Sequence, residues 1–180
     1  SVRVKREFFG LHIHHLLVPY PDGGRTQWPF LPFGSWRIWN AYTAWLDLEP
    51  TPGNWSFSRL DLYVNLALKN QVEPILTLGR TPTWASARPS EKCGATPGCA
   101  AEPRDLAIWE NYVTTVVSRY KGRIAAYEIW NEPAFSEVDP IFRKDGTPIQ
   151  YFTGSAREMA KLAESAYRAV KGADPGALVV

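Results

Sequence analysis

A short apolar run that stops abruptly at polar residues constrains this chain more than any other stretch. Residues 127–133 read Tyr-Glu-Ile-Trp-Asn-Glu-Pro. Successive side chains of a strand point to opposite faces, so Glu128, Trp130 and Glu132 share one face. Pro133 has no backbone donor and ends the strand. The run therefore predicts a buried strand whose carboxyl end presents a carboxylate.

Three further strand patterns precede this run, and helical patterns separate them. The predicted strands cover residues 8–14, 35–40, 72–78 and 124–131, and a fifth begins at 177. The predicted helices run from 59 to 70 with Ser58 as N-cap, from about 104 to 122, and from 156 to about 172. Strands that alternate with helices predict an α/β fold with a parallel sheet.

Alternation within the strands predicts which side chains face inward. His12 and His14 share one face of the first strand, and Arg37 lies opposite Trp36 and Ile38 on the second. We expect the apolar side chains of these strands to pack beneath the helices. The polar side chains should point into the interior of the barrel. The long connection after the first strand contains several prolines, and we expect Trp28 and Phe30 to anchor it.

The Trp-Asn-Glu-Pro motif resembles the acid/base signature of clan A, the retaining glycoside hydrolases with a TIM (β/α)8 barrel. Within the clan it is most similar to the β-xylosidase and α-L-iduronidase family. Residues 48–58 also resemble a segment of the clan that consists of Glu-Pro, a turn, a glycine, an aromatic residue and Phe-Ser. The resemblance implies that Glu132 is the general acid/base and that Asn131 hydrogen-bonds the sugar 2-hydroxyl. It also implies that Arg37 hydrogen-bonds the nucleophile; pairing with Glu128 inside the barrel is the alternative.

The same resemblance implies further substrate contacts. It places Trp84 at the rim of the sugar cleft and makes Trp130 and His14 candidates for binding substrate. The alternative for Trp84 is an aromatic side chain that packs within its loop. The alternative for His12 is a side chain that fills the barrel interior and is hydrogen-bonded there.

Only one of the two carboxyl groups of a retaining glycosidase can be assigned. Such enzymes hold an acid/base and a nucleophile about 5–5.5 Å apart, and the resemblance places the nucleophile, a glutamate, on the seventh strand. A complete barrel has eight strands, whereas four and the start of a fifth are predicted here. We therefore expect residues 1–180 to be the N-terminal half of one TIM-barrel domain, inactive without a C-terminal half from the same or a separate chain.

Two alternatives compete with the glycosidase interpretation. His12-Ile13-His14 is also typical of the metal-binding first strand of amidohydrolase-type barrels, although the chain contains only three histidines. The other alternative is a non-catalytic carbohydrate-binding barrel. No dinucleotide, phosphate-loop or zinc-protease motif is found, so neither a cofactor nor a metal is expected.

Charge and cysteine content narrow the partners and the compartment. The 20 basic and 18 acidic residues are interspersed and give a net charge of +2, which argues against nucleic-acid binding. No apolar stretch is long enough to span a membrane. Cys93 and Cys99 flank a Gly- and Pro-containing turn, which favours a disulfide and hence a secreted or periplasmic protein. The expected partner is a carbohydrate substrate.

Overall fold

A five-stranded parallel sheet forms the centre of the molecule. The computed structural model describes residues 4–14, 16, 26–93, 96–133, 141–142, 148–149 and 151–180. The strands are β1 (Gly10–His12), β2 (Ser35–Ile38), β3 (Glu73–Leu78), β4 (Lys92–Cys93), β5 (Thr96–Pro97), β6 (Ala126–Ile129), β7 (Ile141–Phe142), β8 (Pro148–Ile149) and β9 (Leu178–Val179). The main sheet has the order β1-β2-β3-β6-β9, while β4–β5 and β7–β8 are separate antiparallel pairs. This order, with every neighbour parallel, is the one expected for the first strands of a (β/α)8 barrel.

Helices cover one face of this sheet. They are α1 (Trp45–Leu48), α2 (Ser58–Lys69), α3 (Leu106–Arg119) and α4 (Ala156–Ala173), and a 3₁₀ turn spans Arg6–Phe8. The buried residues of α2 and α3 recur every three or four positions, as an amphipathic helix requires. Within the described ranges, no helix has the length and apolar character needed to cross a membrane.

The core between sheet and helices is rich in aromatic rings. Trp36 and Tyr127, on the outward faces of β2 and β6, are fully buried. Trp45 of α1 stacks on Tyr112 of α3, with ring centroids 4.6 Å apart and planes 13° from parallel. These contacts fasten the strands to the helices and leave the other face of the sheet for polar side chains.

Most predicted helices and strands are confirmed, but one predicted helix N-cap is wrong. The side chain of Asp105 caps α3 by accepting a hydrogen bond from the Ala107 amide at 2.8 Å. The predicted N-cap Ser58 is instead the first residue of α2, and the cap is Phe57. The Phe57 ring stacks on Trp55 and lies 4.6 Å from the guanidinium carbon of Arg119, and its side chain donates and accepts no capping hydrogen bond.

Two connections also differ from expectation. Trp28 anchors the loop before β2, since its ring contacts Trp36 and Phe33 at centroid distances of 5.7 and 5.2 Å. Phe30, the second predicted anchor, is 98% exposed and holds nothing in place. Helix α1 and the β7–β8 pair were not predicted, because both are too short to show a periodic pattern.

Candidate active site

The residues that follow the parallel strands meet at one edge of the sheet. Carboxyl ends of parallel strands lie together, which is where barrel enzymes build their sites. A cavity of about 400 Å³ opens at this edge. Its lining comes from the ends of four strands and two connections: His12, His14, Arg37, Trp39, Asn40, Arg80, Cys93, Trp130, Asn131, Glu132 and Tyr151.

Unusual backbone angles mark the strand ends around this cavity. Asn40, Arg80, Trp130 and Glu132 all have positive φ, at 52°, 61°, 70° and 46°. Each non-glycine residue in this region costs about 1 kcal/mol or more, and such strain clusters at functional sites. The change of backbone direction ends the strand alternation, so three consecutive residues, 130 to 132, all reach the cavity.

Arg37 occupies the centre of a network inside the sheet. Its Nε donates to Glu128 Oε2 at 2.8 Å, and its Nη2 lies 2.7 Å from the same oxygen. Thr77 Oγ1 also donates to this oxygen, at 2.5 Å. The alternative role predicted for Arg37, a structural pairing with Glu128, is therefore confirmed. Three neighbouring strands, β2, β3 and β6, contribute to one charge-assisted cluster.

The same guanidinium orients Asn131. Arg37 Nη2 donates to Asn131 Oδ1 at 2.7 Å, and Asn131 is 8% exposed. Because an arginine can only donate, the amide oxygen must face it. The Asn131 amide nitrogen is therefore left to donate elsewhere, and Asn131 lines the cavity. A sugar hydroxyl is the kind of acceptor that this nitrogen suits.

Glu132 lies next to this fixed amide. Its side chain is exposed and lines the cavity. Among the residues that the structure describes, it forms neither a hydrogen bond nor an ion pair, in contrast to Glu128. A carboxyl group on a cavity wall is placed to exchange a proton with a ligand.

His12 and His14 form a stacked pair on the cavity wall, with ring centroids 4.1 Å apart. His12 Nε2 lies 3.2 Å from the Trp39 carbonyl oxygen, which can only accept, so this nitrogen carries the proton. His14 Nδ1 lies 3.2 Å from the side-chain nitrogen of Asn40. The pKa of His14 is lowered by burial first, and then by the charges of His12 and Arg37. The electrostatic surroundings favour a neutral His14 that can hydrogen-bond a ligand.

Trp130 is a packing residue as well as a cavity residue. It is 2% exposed, and its indole nitrogen donates to the Tyr151 carbonyl at 2.8 Å. Its ring meets Phe152 edge-on at 5.1 Å. Gly79 lies against it with φ 154°, and a Cβ there would come within 3.0 Å of the ring. This packing fixes the backbone from which Asn131 and Glu132 project.

Trp84 packs against the α1 region. Its indole nitrogen donates to the Glu49 carbonyl at 3.0 Å, and its ring meets Trp45 edge-on at 6.0 Å. It is not among the residues that line the cavity. These contacts match the alternative, a packed loop aromatic, while the Trp84 side chain is half-buried, so the cleft-rim role stays a prediction.

The predicted disulfide is confirmed. Cys93 and Cys99 are joined, with Cα atoms 5.5 Å apart, across the β4–β5 pair. Cys93 lines the cavity, so the bridge stiffens one of its walls.

The connection that carries the disulfide is also held by an ion-pair cluster, which the sequence did not reveal. Arg88 binds both oxygens of Glu102, at 2.6 and 2.5 Å, and pairs with Glu91 at 2.9 Å. It also donates to Thr153 at 3.1 Å, and Thr153 donates to Glu91. Thr153 follows Tyr151, the acceptor for the Trp130 indole. Arg88 thus links the disulfide-bearing connection to the segment that holds Trp130.

Sequence reasoning missed several cavity residues. Asn40 and Arg80 each come two positions after the end of a strand, and this position in the chain was the signal that could have identified them. In the part of the chain that the structure describes, no group of three or more side chains is arranged to bind a metal ion.

A parallel sheet, helices on its outer face and a cavity-lining carboxyl group after its fourth barrel strand are the features of a (β/α)8-barrel fold. The sequence model of Glycosyl hydrolase family 10 matches residues 38–180. The chain belongs to this family, which confirms the resemblance to clan A; within the clan, the matching family is family 10. Membership also argues against the amidohydrolase alternative.

The similar proteins agree with this assignment. An endo-1,4-beta-xylanase of Agaricus bisporus is 31% identical over 180 residues, which are 97% of this chain and 48% of that protein. Endo-1,4-beta-xylanase 3 of Hypocrea jecorina is 29% identical over 133 residues, 74% of this chain and 34% of that protein. The chain spans about half the length of the first of these relatives.

Solved structures show the same fold. A family 39 glycoside hydrolase from Bacteroides cellulosilyticus matches 99% of this chain and 32% of its own, with a TM-score of 0.59 and 18% identity. A family 10 structure from Paenibacillus barcinonensis matches 94% of this chain and 49% of its own, with a TM-score of 0.54 and 20% identity. Both likenesses confirm the predicted barrel fold.

Proposed function

We propose that this chain supplies the N-terminal half of a retaining glycoside hydrolase domain, with Glu132 as its general acid/base. One observation carries the proposal: the Glu132 carboxyl group, which no residue in the described ranges engages, lines the cavity directly beside Asn131, whose amide is oriented by Arg37. The acid/base must reach the glycosidic oxygen while a neighbouring donor grips the sugar ring. This pair of side chains meets both needs.

The reaction would proceed in two displacements. In the first, Glu132 donates its proton to the leaving glycosidic oxygen while a second carboxylate attacks the anomeric carbon. In the second, the Glu132 carboxylate takes a proton from water as that water displaces the enzyme-bound sugar. We assign the attacking carboxylate to a glutamate on the seventh strand. Within the described residues Glu128 is no substitute, because Arg37 and Thr77 already bind it.

The substrate that we propose is a β-1,4-xylan backbone. The relatives at 31% and 29% identity are described as endo-1,4-beta-xylanases, which supports xylan over other polysaccharides. Asn131, His14 and Trp130 would contact the sugar, since all three line the cavity.

We further propose that residues 1–180 form the first half of one barrel domain and that a C-terminal half completes it. The five strands in sequential order and the coverage of about half of a similar family 10 chain support this division. The disulfide supports a secreted or periplasmic location, because reducing compartments do not maintain such bridges.

Hydrolysis of β-1,4-xylan by a protein with the complete barrel tests this function. We expect reducing ends to accumulate, and NMR of the first product should show the anomeric configuration of the substrate. Residues 1–180 alone should release nothing, since one carboxyl group cannot perform two displacements. Xylan binding without turnover by the complete barrel would instead support the non-catalytic alternative.

A further inference from the structure

A second groove lies outside the cavity, between the α1 segment and the first turns of α2. Its volume is about 670 Å³, within the size range of ligand sites. No described residue lines both this groove and the cavity. Its walls include Tyr42, Leu46, Asp47, Arg59 and Leu62, and we call it the Tyr42 groove.

Tyr42 is held in a backbone conformation that aromatic residues rarely adopt. Its φ is 57°, in the left-handed region, and the residue is 48% exposed. A bulky residue in this region is an outlier of the kind that clusters at functional sites. Asn40, two residues earlier, also has positive φ and lines the cavity. One short turn therefore presents Asn40 to the cavity and Tyr42 to the groove.

The ring of Tyr42 is an exposed aromatic surface beside a cation. The guanidinium carbon of Arg59 lies 5.4 Å from the ring centroid, and this contact holds both side chains in place. Leu62 of α2, which is also half exposed, extends the apolar part of the wall. Such a surface can pack against the apolar face of a sugar ring while its polar edges remain hydrated.

The charged groups of the groove balance each other. Asp47 Oδ2 accepts a hydrogen bond from the Ala44 amide at 3.0 Å, whereas Oδ1 accepts none from any described residue. Arg59 supplies the opposite charge, and Ser56 and Ser58 add hydroxyl groups. A neutral ligand rich in hydroxyl groups suits this set, because carboxylate oxygens and guanidinium N–H groups both form charge-assisted hydrogen bonds with hydroxyls.

The walls of the groove are fixed by backbone hydrogen bonds. The Leu46 amide donates to the Arg80 carbonyl at 3.3 Å, and the Ser56 amide donates to the Leu48 carbonyl at 2.8 Å. A site that is already ordered loses little conformational entropy when a ligand binds.

We propose that the Tyr42 groove binds a segment of a β-1,4-xylan chain at a site separate from the cavity. The ring of Tyr42 packs on one sugar, and Asp47 and Arg59 bind hydroxyl groups. The choice of xylan rests on the proposed function, while the groove itself selects a neutral, hydroxyl-rich chain. A second contact with the same polymer raises the effective concentration of substrate at the cavity.

Adsorption to insoluble xylan tests the groove without turnover. The complete-barrel protein carries Glu132→Gln throughout, and Tyr42→Gly is added to it. Glycine removes the ring and adopts positive φ at ease, so the fold is retained. We expect adsorption to weaken about two- to tenfold, the range of one aromatic contact. Calorimetric titration of the Glu132→Gln protein with xylohexaose should resolve a second binding site, and Tyr42→Gly should remove it.

Two further variants serve as controls. Tyr42→Trp keeps an aromatic ring in the groove and should retain most of the adsorption. Tyr167→Ala removes a tyrosine of α4 that is 53% exposed and lines neither the groove nor the cavity, so adsorption should not change. Equal losses in Tyr42→Gly and Tyr42→Trp would show that the ring does not bind the chain, and would overturn the proposal.

Three other results would also overturn it: unchanged adsorption of the Tyr42→Gly protein, a single xylohexaose site before Tyr42 is replaced, or Tyr42-dependent adsorption to cellulose but not to xylan. Hydrolysis of xylan with Glu132 intact is measured separately. Tyr42-dependent adsorption without hydrolysis would remove the glycosidase function and retain the groove, whereas hydrolysis without Tyr42-dependent adsorption would remove the groove alone.

Discussion

Arg37 Nη2 donates a 2.7 Å hydrogen bond to Asn131 Oδ1 and so connects the second and fourth strands of the barrel at the site edge. The same guanidinium pairs with Glu128, three residues before Asn131. One arginine therefore neutralises the interior carboxylate and sets the orientation of the residue beside the proposed acid/base.

Replacement of Arg37 by methionine should destabilise the protein. Glu128 would lose its counter-charge in a site where both side chains are 28% exposed. Loss of one partner of a fully buried pair costs about 3–5 kcal/mol, and the partial exposure here reduces our expectation to about 2 kcal/mol. Urea unfolding of Arg37→Met measures this cost.

The double variant Arg37→Met with Glu128→Gln is the control for that experiment. Removal of both charges should recover part of the lost stability, because no uncompensated charge remains. Equal destabilisation of the single and double variants would show that packing, and not charge, dominates at Arg37.

Arg88→Gln should loosen the connection that carries the disulfide. Arg88 contacts Glu91, Glu102 and Thr153 together, so its loss affects two segments at once. We expect faster hydrogen exchange at the Thr153 amide, which donates to the Ala100 carbonyl, and a loss of about 1–2 kcal/mol. Arg168→Gln, which removes an exposed pair with Glu164, should cost under about 0.5 kcal/mol and leave that exchange rate unchanged.

Removal of the Cys93–Cys99 bridge should lower stability modestly. The closed loop is short, with a sequence separation of 6, so the entropy model gives about 2 kcal/mol. Thermal unfolding with and without a reducing agent measures the difference. The variant with both cysteines changed to serine should unfold at the temperature of the reduced protein and should not respond to reductant.

Acid should weaken the contact between α2 and α3. The Arg119 hydrogen bond lowers the pKa of Asp61 below its ordinary 3.8, and Tyr120 adds to this effect while burial opposes it. A lowered pKa means that the folded state favours the carboxylate, so the stabilisation is full above about pH 4. It is lost as the pH falls through the folded-state pKa.

Asp61→Asn isolates this contribution. At pH 7 the variant should be less stable by about 0.5–1 kcal/mol, since Asp61 and Arg119 are partly exposed. The difference from the parent protein should shrink as the pH falls below 4. A difference that stays constant between pH 7 and pH 2 would contradict the assignment of the pKa shift to the Arg119 contact.

Much of the fold was predictable because its signals are local. Alternation along the strands separated Arg37 from Trp36, and the structure places them on opposite faces as predicted. The position of Glu132 at a strand end followed from Pro133 and from the apolar run before it. These inferences need only periodicity and the chemistry of proline.

The remaining site residues depend on contacts that sequence spacing does not encode. The pairing of Arg88 with Glu102 joins residues on either side of a disulfide connection. Sequence spacing did not show whether the loop aromatic Trp84 packs inward or faces the cleft, because the acceptor of its indole nitrogen, the Glu49 carbonyl, lies 35 residues away in the sequence.

The most direct test of Glu132 as acid/base compares two leaving groups. In a complete-barrel protein, Glu132→Ala should lower kcat/KM on xylan by about 10²–10⁴-fold, the usual contribution of general acid catalysis. On a dinitrophenyl xyloside, whose leaving oxygen needs no proton, the loss in the same parameter should be far smaller. Equal losses on both substrates, or no loss on xylan, would contradict the assignment.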